Sequence, residues 1–146
     1  MSPAELLMKT VVEAWGQADF GPIRDAIDDN IIWKSASIGQ GAAFRFGGVY
    51  NGKVEVMTLL SELSANYFFQ RYTAKEIISK GDIVWGLFDS YGNYIPSGGR
   101  KRKSITLETV FRWRIRGGKI VEAQTFFDTA ALLAQQEELL ADCRVA

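Results

Sequence analysis

The chain contains no histidine among its 146 residues. That excludes histidine-based triads, histidine metal sites and the usual proton shuttle near neutral pH. Acid–base work is left to carboxylates, tyrosines, lysines or water. Cysteine occurs once, at Cys143, so there is no disulfide framework and no thiolate metal site, and a reducing cytoplasm is the natural setting. Long apolar runs are missing as well. Glu5, Lys9 and Glu13 interrupt the N-terminal one, and no stretch approaches the roughly 20 apolar residues of a membrane helix, so a soluble cytoplasmic protein is expected. Neither charge is in excess, with 17 basic and 17 acidic residues. This removes the global electrostatic case for nucleic acid or an anionic membrane as partner. No constellation of side chains suggests a metal, and no cofactor is expected. Gly39, Gly41, Gly47 and Gly48 lack the GK[ST] of a phosphate loop and read as a loose connection that could fold over a cavity as a flap.

What is present is a sequence that is 47% hydrophobic, enough for one domain over residues 1–146 with its own core. Ser2-Pro3-Ala4-Glu5 is a capping box with proline in the first turn. Ala4, Leu7, Met8, Val11, Val12 and Trp15 follow it at helical spacing. Gly21-Pro22 opens a shorter helix that stops at Asp28-Asp29-Asn30. Residues 31–37 read as a strand, 52–66 as a third helix, and 68–79 and 83–94 as strands. The basic run 100–103 reads as a solvated hairpin tip rather than a phosphate contact. Asp128 is placed to cap a last helix. Helices first and strands afterwards predict an α+β domain.

The stretch 104–128 is a long hairpin turning at Gly117-Gly118. A tight turn pairs Arg116 with Lys119, Trp113 with Glu122, Phe111 with Gln124 and Val110 with Thr125. Leu107, Phe111, Trp113, Ile115, Ile120 and Phe126 then share one face, with Val110, Val121, Ala123 and Phe127 on the other. Neither face is polar, which predicts a sheet covered on both sides, and a β-bulge would exchange the assignments.

Three short motifs carry a family resemblance. Gly48-Val49-Tyr50-Asn51-Gly52 precedes a helix, Gly81-Asp82-Ile83-Val84 joins strands, and Gly118-Lys119-Ile120-Val121 leads to Phe127-Asp128-Thr129-Ala130-Ala131-Leu132. In this order and spacing they resemble the SnoaL-like polyketide cyclases and ketosteroid-isomerase-related proteins of the nuclear transport factor two superfamily. The resemblance spans almost the whole chain. It implies a cone: a strongly curved mixed sheet wrapped around the first helices, with a deep apolar pocket for a small apolar molecule. It also implies a homodimer formed through the outer sheet face. Functions diverge widely on this fold, so it does not name a reaction.

Asp89 is the candidate catalytic residue. Alternation places it with Ile83, Trp85, Leu87 and Tyr91 in a strand read as internal, where a desolvated carboxylate suits a general acid or base. The other reading puts it beyond the buried span, or paired with Arg112 or Arg114. Epoxide-hydrolase relatives use two aspartates and an arginine. Here Leu87 stands at the arginine and Thr125 at the second aspartate, leaving Asp89 alone. Ketosteroid isomerases place a base aspartate near Ser35, where serine cannot serve. Trp33, Ser35, Tyr50, Leu60, Tyr91, Thr125 and Phe127 are the expected substrate-binding residues, with Tyr50, Tyr67 and Tyr91 as potential oxyanion donors. Two functions follow: proton transfer of the isomerase, cyclase or hydratase kind on an apolar substrate, or a binding or dimerisation module without catalysis.

Overall fold

The computed structural model describes residues 1–36, 45–94 and 103–145. Helix α1 (Pro3–Gly16) and the short α2 (Gly21–Ala26) lead into strands β1 (Ile27–Ser35) and β2 (Gly48–Asn51). Then come α3 (Lys53–Asn66), the long strands β3 (Tyr67–Lys80), β4 (Ile83–Tyr94) and β5 (Lys103–Arg116), β6 (Lys119–Phe126), and α4 (Thr129–Val145). The six strands form one curved, unclosed sheet in the order β2-β1-β6-β5-β4-β3. All neighbours are antiparallel except β1 and β6, which run parallel. The expected α+β architecture is therefore present. Among the described residues no helix is long and apolar enough to cross a membrane.

The first helix begins where its cap predicts. The Glu5 amide donates to the Ser2 hydroxyl at 3.2 Å, while the Glu5 carboxylate accepts from the hydroxyls of Ser2 and of Ser79 on β3. The cap thus also ties α1 to the sheet, and the two serine hydroxyls hold the Glu5 carboxyl below the usual carboxylate range. Met8, Val11, Val12 and Trp15 bury the helix face that lies on the sheet. At the other end of the chain the Ala131 amide donates to Asp128 Oδ1 at 2.9 Å, giving α4 its expected cap.

Two boundaries differ from expectation. β1 starts at Ile27, so the polar triplet Asp28-Asp29-Asn30 is strand rather than helix end. The triplet falls where the pairing with β6 slips, between Ile27–Ile120 and Ile32–Glu122, and a bulge of that kind lets polar side chains sit in a strand without entering the core. Gly48, expected in a loose connection, opens the short strand β2 against β1. Gly39 and Gly41 of the expected flap, and Arg100 to Arg102 of the basic run, lie outside the described residues.

The hairpin of β5 and β6 sets the faces of the sheet. Arg116 pairs with Lys119 and Ile115 with Ile120, but Arg114 then pairs with Glu122, leaving Val121 as an extra residue on β6. Beyond that bulge the expected pairings are displaced by one: Trp113 faces Ala123, Phe111 faces Thr125 and Val110 faces Phe126. Phe126, expected with Trp113, instead turns outward and is 40% exposed, and Ala123 is buried. The inner face is built from Ile105, Leu107, Thr109, Phe111 and Trp113 of β5 together with Val84, Phe88 and Ser90 of β4. Phe88, Phe111 and Trp113 pack edge to face there.

Candidate functional site

The cup formed by the inner sheet face and the helices encloses a narrow cavity. Trp15 comes from α1, Leu63 from α3 and Leu132 from α4, while the sheet supplies Trp33, Tyr72 and Phe111. Trp15 packs against three other rings of the lining. Its ring stacks on Tyr72 with centroids 5.3 Å apart and meets Phe111 at 5.9 Å and Trp33 at 6.2 Å edge-on. The free volume is about 40 Å³, against roughly 300 Å³ at the small end of ligand pockets. The aromatic side chains nearly fill the cup.

Polar groups in the lining are all neutral. Ser35, Ser90, Thr109 and Thr125 contribute hydroxyls, and Tyr67 and Tyr72 contribute phenols. The Ser90 hydroxyl donates to the Leu107 carbonyl at 3.0 Å and lies 3.3 Å from that of Thr109. Gln136 of α4 donates its amide hydrogen to the Tyr67 oxygen. Burial pushes the Tyr67 phenol up, with the Gln136 hydrogen bond opposing, and burial alone drives the Tyr72 phenol far up. Both therefore stay protonated across the physiological range and can act only as hydrogen-bonding groups. No carboxylate, lysine or arginine lines the cavity among the described residues.

The residues singled out from sequence divide into two groups. Trp33, Ser35, Thr125 and Phe127 line the cavity. Leu60 is fully buried in the core but outside the lining. Tyr50 sits beside β1 and donates its hydroxyl to the Phe46 carbonyl at 3.1 Å, away from the cavity; burial, and then the Glu62 charge, raise its phenol. Tyr91 is on the outer face, 39% exposed, with its hydroxyl 3.4 Å from that of Ser104.

Asp89 also faces outward, and its expected burial is corrected. Its side chain is 53% exposed and one carboxylate oxygen lies 3.7 Å from Lys75 Nζ, which in turn bonds Glu108. Neither Arg112 nor Arg114 is its partner. Arg112 pairs with Glu122, and Arg114 with Asp82 and Glu122. The cause is which row of β4 turns inward. Val84, Gly86, Phe88 and Ser90 do, so the row of Trp85, Asp89 and Tyr91 faces out. Both rows are apolar enough that alternation alone could not choose. A usable signal was Gly86: a Cβ at this position would lie 2.6 Å from Met8 Sδ, so the glycine marks where α1 crosses the strand.

Tyr67, read from sequence as a potential oxyanion donor, lines the cavity, as do Trp15 and Tyr72, which were not among the expected substrate-binding residues. Trp15 ends the apolar stripe of a helix that must cover the sheet, and that was the available cue.

Comparison with known proteins agrees with this fold. The family model for the SnoaL-like domain matches residues 8–123. No functionally curated protein is significantly similar in sequence. Among solved structures, an NTF2-like protein of unknown function from Burkholderia pseudomallei is 25% identical, with a TM-score of 0.72 over 92% of this chain and 98% of that one. A candidate polyketide cyclase from Streptomyces antibioticus is 18% identical, with a TM-score of 0.74 over 93% and 99%. TerC, crystallised with polyporic acid, is 21% identical, with a TM-score of 0.71 over 90% and 98%. The latter two are similar in fold alone. With the family model covering α1 through most of β6, the chain belongs to the SnoaL-like domain family.

Proposed function

We propose that this domain binds a small, uncharged, mostly apolar organic molecule in the space between Trp15, Trp33 and Phe111. The observation that carries this reading is the lining: aromatic walls and hydroxyls with no charged side chain among the described residues. An ion placed there would lose its water without gaining a counter-ion, whereas an apolar guest gains roughly 25 cal/mol for each Å² it buries. A free volume of about 40 Å³ means that a guest enters only as a wall yields. Leu63 and Leu132, carried by α3 and α4, are lining residues that do not belong to the sheet.

Binding without catalysis is the reading the placement of Asp89 favours. Some structural neighbours are named as a candidate isomerase or polyketide cyclase, but proton transfer needs an acid or base against the guest, and among the described residues the cavity offers only phenols held neutral and hydroxyls. The test is titration with small planar aromatic molecules, followed by tryptophan fluorescence and melting temperature. Saturable quenching with a rise in melting temperature is expected; no response to any of them would remove the reading.

We also propose that two copies pair through the outer sheet face. Ile78, Trp85 and Phe126 are 60%, 40% and 40% exposed. Ile78 is paired with Trp85 across β3 and β4, and Trp85 stacks on Phe126 at 6.2 Å with Arg112 over its ring. Contiguous apolar surface of this kind marks an interaction site. Sedimentation at micromolar concentration should report a dimer, and a monomer would contradict the pairing.

A further inference from the structure

Among the described residues, two hydroxyls in the cavity wall have no side-chain hydrogen-bond partner. β1 and β6 run parallel with Lys34 paired to Gln124, so the next residue on each strand, Ser35 and Thr125, stand side by side on the inner face. Their residues are 3% and 7% exposed, and both line the cavity. Ser90 and Thr109 satisfy each other and the Leu107 carbonyl, but among the described residues neither Ser35 nor Thr125 makes a side-chain hydrogen bond. Nor is either oxygen sealed from the cavity: the fully enclosed side-chain polar atom without a partner, among the described residues, is Trp113 Nε1. A buried hydroxyl left unmatched is costly. Two of them, from strands far apart in sequence and open to the same space, point to an occupant that satisfies both.

The chemistry of that occupant follows from what the pair can offer. Each hydroxyl has one hydrogen to donate, and a carbonyl oxygen has two lone pairs to receive them. A carboxylate would accept as well, but among the described residues no cation lines the cavity. Arg45, whose charge reaches Tyr67, is exposed and outside the lining. An ammonium group would likewise find no counter-ion there. The walls beside the pair are the flat rings of Trp33 and Phe111, the latter paired with Thr125. We infer that Ser35 and Thr125 are the polar end of the site, together donating to one carbonyl oxygen, and that the guest is a neutral planar ketone. This inference rests on the cavity being a binding site, as proposed above.

The experiment uses three probes of one shape: 1-indanone, indane and indane-1-carboxylate. Each is titrated into the parent protein and the Ser35→Ala/Thr125→Val double variant, with tryptophan quenching as the affinity readout and the infrared carbonyl stretch as the readout for bound ketone. In the parent, the ketone should bind about tenfold more tightly than the hydrocarbon, with its carbonyl stretch lowered by the two hydrogen bonds. In the double variant that preference should fall to about twofold or less and the stretch should return towards its value in hydrocarbon solvent, while indane affinity is unchanged. The variant should fold at least as stably as the parent, since it removes unmatched hydroxyls. Equal binding of ketone and hydrocarbon by the parent, or tighter binding of the carboxylate, would overturn the inference and leave the cavity reading standing. Failure of all three probes to bind would overturn both.

Discussion

Trp113 lies opposite Ala123 rather than Glu122. The one-residue difference arises at Val121, the extra residue on β6, and it decides which side chains of that strand enter the cup. Without the bulge Gln124 and Phe126 would point inward and Thr125 would face solvent. With it, Ala123 and Thr125 are buried.

That register makes adjacent positions respond oppositely to one substitution. Ala123→Asp places a carboxylate against the fully buried Trp113 and should cost more than about 3 kcal/mol, enough to leave much of the chain unfolded. Gln124→Asp, on the outer face beside Arg112, should change stability by no more than about 0.5 kcal/mol. Urea denaturation of the two variants checks this, and the reverse order would mean that the hairpin is unbulged.

Gly16 should resist replacement by alanine although it is helical. Alanine gains about 1 kcal/mol in helix propensity over glycine. Its Cβ, however, would stand 2.6 Å from the Tyr72 backbone nitrogen, an atom that cannot swing aside, and overpacking of this kind costs about 1–3 kcal/mol. A net loss of about 1 kcal/mol is expected for Gly16→Ala from denaturant midpoints. A gain would show that α1 can lift from β3 freely.

Acid should weaken the fold partly through Asp82. Arg114 Nη1 contacts both of its carboxylate oxygens, at 2.9 and 3.0 Å, and Arg116 Nε lies at 3.3 Å. The hydrogen bonds from Arg114 hold the Asp82 carboxyl below its ordinary value. A depressed carboxylate binds protons less readily in the folded than in the unfolded chain. Its contribution is therefore present above about pH 4 and is lost as the pH falls through the folded value. Asp82→Asn should make the decline in melting temperature between about pH 5 and pH 3 shallower, though not flat, because Glu5 is depressed in the same sense by Ser79 and Ser2.

Asp89→Asn should leave probe binding within about twofold and stability within about 0.5 kcal/mol, since an exposed ion pair contributes roughly 0–1 kcal/mol. Isothermal titration with the planar ligands described above is the measurement. Abolished binding would restore the acid to the site from which its orientation removes it.

The architecture was legible because its signals are local. Ser2-Pro3 opened α1, Asp128 capped α4, and Gly117-Gly118 set the turn of the long hairpin. Placement in the site was legible only where one alternative was available. Trp33 and Ser35 alternate in a strand whose other row carries Lys34, so their direction was plain. Asp89 and Tyr91 share a row with Trp85 while Val84 and Phe88 occupy the other, and nothing in hydropathy separates two apolar rows. Thr125 was expected in the site and lines the cavity, yet the pairing expected for its strand would have turned it outward. A bulge leaves no mark in composition that distinguishes Val121 from its neighbours.

The parallel pairing of β1 with β6 carries a kinetic consequence. Ser35 and Thr125 become neighbours only after α3 and three long strands have been threaded between them, a long loop whose closure is entropically slow. During translation the early segment has to wait, its Trp33 uncovered, until the ribosome has delivered β6. The hydroxyl pair is therefore among the last features of the molecule to exist, and a nascent chain arrested before residue 119 should hold no guest.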